Sequence, residues 1–356
     1  MYINGRFLTQ RITGVQRFAI ELLRELDKNP NLIKQLNIKV IVPKNYNEVE
    51  YPFHRIPLVK SKILNGHVWE QLFLPFTSRN EFLVNLCNTG PIFKRKQVTV
   101  IHDAAVYANP TTFSFVFRTW YKIMFFVMGK FTEKIITVSH FSKNELIHYL
   151  KVDNNRIGVI SEGKEQIVRI KSNDSVLERF KLKGEKYLLA VSSLNPNKNF
   201  QAIIEAAKNL PKELKVVIAG GNNSIVFQTG FNTTQIEAIF VGYVSDEELK
   251  ALYENAFCFI YPSFYEGFGL PPLEAMACGC PVISSDRTSL QEVGGDAFLY
   301  IDPDQPIQIA NHIKRLLNSP TLREEIIKKG YTQSANFTWK NALDGLLANI
   351  EDVRNL

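Results

Sequence analysis

Three charged side chains, Lys198, Glu266 and Glu274, stand at sequence positions suited to work on a phosphorylated ligand. The stretch 261–285, YPSFYEGFGLPPLEAMACGCPVISS, ends a strand near Tyr261 and then runs through a glycine-rich loop. Pro271 and Pro272 follow, and proline suits the first turn of a helix. A helix that starts at the carboxyl edge of a parallel sheet offers backbone N–H groups and the positive end of its dipole to a diphosphate. Gly267 and Gly269 let the backbone come close. Glu274 falls about one turn inside the helix, within reach of a ribose, and Glu266 sits on the loop where a hexose would lie. In 188–206, LLAVSSLNPNKNFQAIIEA, Lys198 begins the helix after a strand. An ammonium there can neutralise charge developing on a leaving diphosphate. His102 and Asp103 close the string VTVIHD at another strand end, the edge at which α/β sheets bind ligands.

These residues need a sheet to hold them, and the hydrophobic pattern supplies one. Short β-branched runs alternate with longer helical patterns, as in parallel sheets covered by helices. Strands are predicted at 38–42, 82–86, 98–101 and 135–138, after a short strand-like run at the amino terminus, with helices at 16–26 and 143–150. Further strands are expected at 187–192, 215–219, 239–241, 256–260 and 281–284, with helices at 201–209, 246–254, 272–277 and 306–318. The polar segment 164–181 interrupts the rhythm and reads as a linker between two doubly wound domains.

A chain of 356 residues is of two-domain size. Its 45% hydrophobic and 22% charged residues are those of a globular protein. Four cysteines are too few for a disulfide framework, and Cys278 with Cys280 falls short of a closed zinc site. No secretory signal is read at the start. The apolar stretch 113–131 is broken by Arg118, Lys122 and Lys130, so it lacks the run of about eighteen apolar residues a spanning helix needs. Residues 1–175 carry 25 Lys and Arg against 14 Asp and Glu, whereas the remainder is slightly acidic. A basic first half is compatible with an acidic partner such as a lipid surface, a lipid-linked phosphate or nucleic acid, and equally with a solubilising face. Within 113–131, Phe117, Trp120, Tyr121, Met124, Phe125 and Met128 form a stripe that suits a core, or docking on the inner membrane leaflet beside Lys130 and Lys134.

Two glutamates separated by seven residues, Glu266-Gly-Phe-Gly-Leu-Pro-Pro-Leu-Glu274, followed by EAMACGCPVISS, resemble the donor motif of the retaining family 4 glycosyltransferases of GT-B fold. The resemblance assigns Glu266 to hydroxyls of the donor sugar and Glu274 to those of the ribose, with Gly267, Phe268, Gly269 and Leu270 along the phosphates. NPNKN resembles the family's basic phosphate motif at Lys198. Ser192 and Asn197 stand there where many members carry arginine, which leaves phosphate neutralisation to lean on Lys198. FVGYVSDEEL is similar to the loop that reads the base, placing Tyr243 and Val244 beside it, while Ser245 or Asp246 suits a helix cap. ITGVQRFAIELLREL resembles the family's glycine loop, with Gly14 near the donor phosphates. His102 matches a histidine that contacts the transferred sugar or acceptor. TVSHFSKNEL resembles the stretch before the linker, with Ser139 facing the cleft and Ser142 capping a helix. In VISEG, Glu162 replaces the usual asparagine. NFTWKNALDGLLANIEDV looks like the terminal helix that crosses back, with Trp339 as its anchor.

The resemblance therefore implies an α/β fold of two doubly wound, Rossmann-like domains facing a central cleft. Residues 1–165, with a C-terminal helix at about 340–356, would bind the acceptor, and 166–339 the nucleotide-sugar donor. The activity implied is metal-independent hexosyl transfer with retention, without a cofactor, to a glycan or lipid-linked acceptor of surface polysaccharide synthesis. Glu266, Lys198 and His102 carry the catalytic roles. GDP-mannose is the marginal choice of donor. The expected place is the cytoplasm, peripheral to the inner leaflet. A nucleotide-sugar epimerase and a catalytically silent donor-binding scaffold are the rival readings. No GxGxxG loop follows any predicted strand, which disfavours a dinucleotide oxidoreductase.

Overall fold

The computed structural model describes residues 1–191, 195–211, 213–221 and 238–354. They form two compact units, Met1–Gly163 with Thr338–Leu356, and Lys164–Phe337. The apolar runs of the first unit make a seven-stranded parallel sheet from β1 (Tyr2–Asn4), β2 (Lys39–Val42), β3 (Leu58–Lys60), β4 (Leu83–Asn85), β5 (Gln97–Val100), β6 (Lys134–Thr137) and β7 (Ile157–Val159). Their order is β3-β2-β1-β4-β5-β6-β7, so the winding reverses between β1 and β4. Central strands are buried along their length, as expected when helices cover both faces of a sheet.

The helix Gly14–Asp27 begins at a capping box in which Thr13 and Gln16 satisfy each other's ends, and it buries Phe18, Leu22, Leu23 and Leu26. The last helix, Trp339–Arg354, packs on it, with the Trp339 ring edge-on to Phe18 at 5.7 Å. The same helix passes close over β7. A Cβ at Gly158 would come 2.1 Å from the Asn349 side chain, so any larger residue there would force Asn349 to move.

In the second unit β8 (Tyr187–Val191), β9 (Lys215–Ala219), β10 (Ala238–Gly242), β11 (Cys258–Tyr261), β12 (Val282–Ser285) and β13 (Phe298–Ile301) form a parallel sheet ordered β10-β9-β8-β11-β12-β13. Leu188, Ile218, Ile260 and Ile283 pack with Ile203 of the helix Phe200–Ala207 and Ile309 and Ile313 of the helix Pro306–Asn318. Here the winding reverses between β8 and β11.

Several sequence expectations need correction. β3, β7 and β13 are not marked by the hydrophobic pattern. All three are sheet edges of three or four residues, too short to show a period. The segment 164–181, read as a linker, belongs to the second unit. It forms the short helices Glu165–Val168 and Ser175–Arg179, which pack on the helices Asp246–Asn255 and Leu270–Ala277. Its polarity belongs to bonds such as Ser175 Oγ to Glu248 at 3.0 Å and the Arg179–Glu248 ion pair at 3.0 Å. In the helix Phe115–Phe131 the expected stripe turns inward, with Met124, Phe125 and Met128 buried. The opposite face is apolar as well: Val116 is 78%, Ile123 51% and Phe126 49% exposed. Among the described residues no helix is long and apolar enough to cross a membrane.

Candidate functional site

The loop 262–269 leaves β11 at the carboxyl edge of the second sheet and ends at Gly269, which has φ +115° and precedes the helix Leu270–Ala277. Glycine is required there twice over, because an added Cβ would be strained and would lie 2.8 Å from Leu290 Cδ2. Pro271 and Pro272 lack N–H groups, so of the first helical turn only Leu270 keeps one to offer. A phosphate at this helix start must therefore rely on the loop backbone from Gly267 to Leu270 more than on the helix itself.

Hydroxyl side chains hold the loop in place. Ser289 Oγ lies 2.7 Å from the Phe268 carbonyl and 3.0 Å from that of Glu266, and Thr288 Oγ1 accepts from Glu266 N at 3.3 Å. Ser285 Oγ donates to the Ser263 carbonyl at 2.7 Å, and Phe264 N donates to the Asn197 carbonyl at 2.8 Å. The last bond ties the Glu266 loop to the turn Pro196–Lys198. That turn corrects one expectation: Lys198 does not open a helix but ends a 3-10 turn, and the helix starts at Phe200 after Asn199 in the left-handed region.

Lys198 Nζ donates to Glu266 Oε1 at 2.6 Å and to the Tyr261 hydroxyl at 2.9 Å. The two charged side chains are 21% and 12% exposed, so water still reaches both. Burial works to lower the Lys198 pKa, yet the Glu266 carboxylate and Tyr261 outweigh it and hold the ammonium above its ordinary value. Burial first, then the Glu266 charge, push the Tyr261 phenol up, so it stays protonated. Lys198, Glu266 and Tyr261 thus present a fixed cation, an acceptor carboxylate and a phenol at one sheet edge.

Glu274 is buried on the helix Leu270–Ala277 and accepts from Gln166 Nε2 at 2.8 Å. Phe268 and Leu270 are buried, the former edge-on to Phe337 at 5.7 Å. Tyr243 is exposed just past β10, after Gly242 at φ +69°, with Val244 beside it. Ser245, the first of the two expected caps, closes a capping box with Glu248 at 3.2 Å in both directions. Ser192 lies outside the described residues.

Gly14 and His102 belong to the first unit. Gly14 opens its helix exposed, and an added Cβ would meet nothing within 4 Å. His102 is buried at the end of β5. Its Nε2 lies 3.0 Å from the Leu86 carbonyl, which makes that nitrogen a donor, and its Nδ1 is 3.7 Å from Glu162 Oε1. Ser139, not Ser142, caps the helix His140–Leu150, accepting from Ser142 N at 3.0 Å.

Sequence reasoning missed Tyr261 as a partner of Lys198, Gln166 as the holder of Glu274, and the Ser285, Thr288 and Ser289 clamp. A run of hydroxyl residues that closes a buried strand and continues past it, SSDRTS, was the legible signal for the clamp. Nothing local marks Gln166, since its bond spans 108 residues.

A model of the family described as glycosyl transferases group 1 matches residues 175–333. O-antigen chain mannosyltransferase B of Escherichia coli is 37% identical over 218 residues, 58% of this chain and 57% of that one, so the match spans little more than half of that relative. O-antigen chain mannosyltransferase RfbU of Salmonella typhimurium is 30% identical over 336 residues, covering 90% of this chain and 92% of that one. Among solved structures, Anabaena HepE in complex with UDP-glucose superposes with a TM-score of 0.74 at 16% identity, over 100% of this chain and 99% of that one. At that identity the likeness concerns the fold alone.

Proposed function

The chain belongs to the group 1 glycosyltransferases, family 4, with the GT-B fold, and from that premise we propose that it transfers mannose from GDP-mannose to a glycan or lipid-linked acceptor in surface polysaccharide synthesis. The observation that carries the reading is the Lys198–Glu266–Tyr261 group beside a clamped glycine loop. The Lys198 ammonium and the Gly267–Leu270 backbone meet the diphosphate, Glu266 accepts from sugar hydroxyls, Glu274 from the ribose, and Tyr243 with Val244 flanks the base. Fixed charges aimed at the departing group contribute most where they need not reorganise. As the bond from the anomeric carbon to the phosphate oxygen breaks, the acceptor oxygen bonds to the same face of the sugar. Its proton passes to the departing diphosphate, so neither a metal nor a separate protein base takes part.

The mannosyltransferase names of the relatives favour mannose as the sugar. The exposed apolar face of the helix Phe115–Phe131 suits an acceptor held at an anionic membrane surface. Lys130 Nζ lies 4.5 Å from the Phe126 ring centre and the Arg95 guanidinium 5.9 Å from that of Phe131. The test is incubation of the chain with labelled GDP-mannose, UDP-glucose and an acceptor extract. Transfer from GDP-mannose with the anomeric configuration kept is expected; inversion, or epimerised donor without transfer, would overturn the reading.

A further inference from the structure

Tyr261 closes β11, and the sheet fixes it more firmly than it fixes either charged neighbour. Its backbone lies opposite Ser284 of β12, whose Oγ is 3.4 Å from the Tyr261 carbonyl. Its buried ring stacks on Phe259 at 5.7 Å, and Phe259 in turn meets the edge of Tyr253, on the helix Asp246–Asn255, at 5.5 Å. The phenol oxygen therefore stands at the end of a packed column of three rings. Lys198 and Glu266, by contrast, come from a 3-10 turn and a loop.

An ammonium has three N–H groups to give. Lys198 spends one on Glu266 Oε1 at 2.6 Å and one on the Tyr261 hydroxyl at 2.9 Å. The two bonds differ in what they leave behind. A carboxylate neutralises the ammonium it holds, whereas a neutral hydroxyl fixes its place and leaves its charge to act on a phosphate. Glu266 is also the less constant partner, since sugar hydroxyls would compete for the oxygens that accept from Lys198. A lysine let go at the end of its four-carbon stem regains its rotamers, and the alignment of its charge with a leaving group goes with them. Tyr261 guards against this as a neutral acceptor, because burial and then the Glu266 charge keep the phenol protonated.

We propose that Tyr261 is a positioning residue of this site: its hydroxyl keeps hold of Lys198 Nζ while Glu266 exchanges the ammonium for hydroxyls of the donor sugar. The cation then meets the diphosphate both in place and at full charge. The exchange with a sugar rests on the transferase reading; the hold of Tyr261 on Lys198 does not.

The experiment uses the full chain as wild type, Tyr261→Phe, Glu266→Gln and the double variant, with melting temperatures to show that each is folded. Tyr261→Phe removes one oxygen and keeps the ring in its column. With labelled GDP-mannose it should lower kcat about 10- to 100-fold, the scale of one hydrogen bond to a charged group, while KM changes by less than about threefold. The alkaline limb of its kcat profile should move to lower pH, because an ammonium that loses an acceptor gives up its proton more easily. A ring that served packing alone would lower activity equally at every pH. Without any ligand, the Lys198 ammonium is titrated by NMR of isotope-labelled lysine side chains, its signal assigned by its loss in Lys198→Arg. Glu266→Gln imitates a carboxylate engaged elsewhere, and adding Tyr261→Phe to it should move the Lys198 titration about one pH unit lower. Wild-type kcat in Tyr261→Phe, an alkaline limb that stays in place, or a Lys198 titration unmoved by loss of the phenol overturns the proposal. If no donor is turned over but the titration moves, the transferase reading fails and the hold of Tyr261 on Lys198 stands.

Discussion

Each unit carries a cation–carboxylate pair at the carboxyl edge of its sheet, close to the strand where the winding turns, and the two pairs differ in burial. Arg6 and Glu70 in the first unit are 8% and 0% exposed, and Glu70 has further partners in Asn4, Thr89 and His67. Lys198 and Glu266 in the second are 21% and 12% exposed and stand on loops. A buried pair cannot release either partner without leaving a charge stranded in low dielectric, whereas a pair that water reaches can exchange partners with a ligand. The first pair is therefore fixed architecture, and the second is the pair that the proposed sugar diphosphate would open.

The largest effect expected from this contrast is on stability. Glu70→Ala leaves Arg6 buried and unpaired and should cost roughly 3–5 kcal/mol in urea unfolding. Burial works to raise the Glu70 pKa, but His67, Arg6 and Asn4 together hold it below the ordinary 4.5. A lowered folded-state pKa contributes stability that is complete above 4.5 and is lost as pH falls through the folded value. Wild type should lose stability over that acid range, with a shallower loss in Glu70→Gln; parallel pH profiles would break the distinction. In the second unit Lys198→Ala should unfold no more than about 1 kcal/mol more easily, because its pair is partly solvated. The same variant should lose most of the rise in melting temperature that GDP gives wild type.

Gly269→Ala should come next, at roughly 1–3 kcal/mol for the strained φ, accompanied by weakened GDP binding as the Leu290 contact shifts the loop. The smallest effect concerns the exposed helix face. Ile123→Ser with Phe126→Ser should leave unfolding within about 0.5 kcal/mol of wild type. The double variant should nonetheless reduce flotation with anionic liposomes; equal flotation, or none by wild type, would remove the membrane from the account.

What the sequence revealed and what it hid divide along the same physical line. Glycine, proline and acid at fixed spacing in 261–285 announce a loop and a helix start because those residue types have few other uses together. Tyr187–Val191 and Cys258–Tyr261 were legible because they are apolar and central. The edge strands Leu58–Lys60 and Ile157–Val159 are three residues long and only partly buried, so pairing rather than pattern creates them. The stripe of the Phe115–Phe131 helix was legible as a core face, whereas its second apolar face at Val116, Ile123 and Phe126 was not, because periodicity marks one face at a time. Glu70 and Gln166 were invisible for another reason: Asn4 and Arg6, which hold Glu70, and Glu274, which Gln166 holds, lie far along the chain, and nothing in WEQLF or KEQIV hints at them.

The central claim is that the solvent-reachable pair in the second unit grips the leaving diphosphate of a nucleotide sugar. Turnover of labelled GDP-mannose by wild type, Lys198→Ala and Glu266→Gln, compared on samples shown to be folded, tests it most directly. Both variants should lose about 100- to 1,000-fold in kcat, the scale of removing one preorganised charge contact; wild-type turnover in both would contradict it.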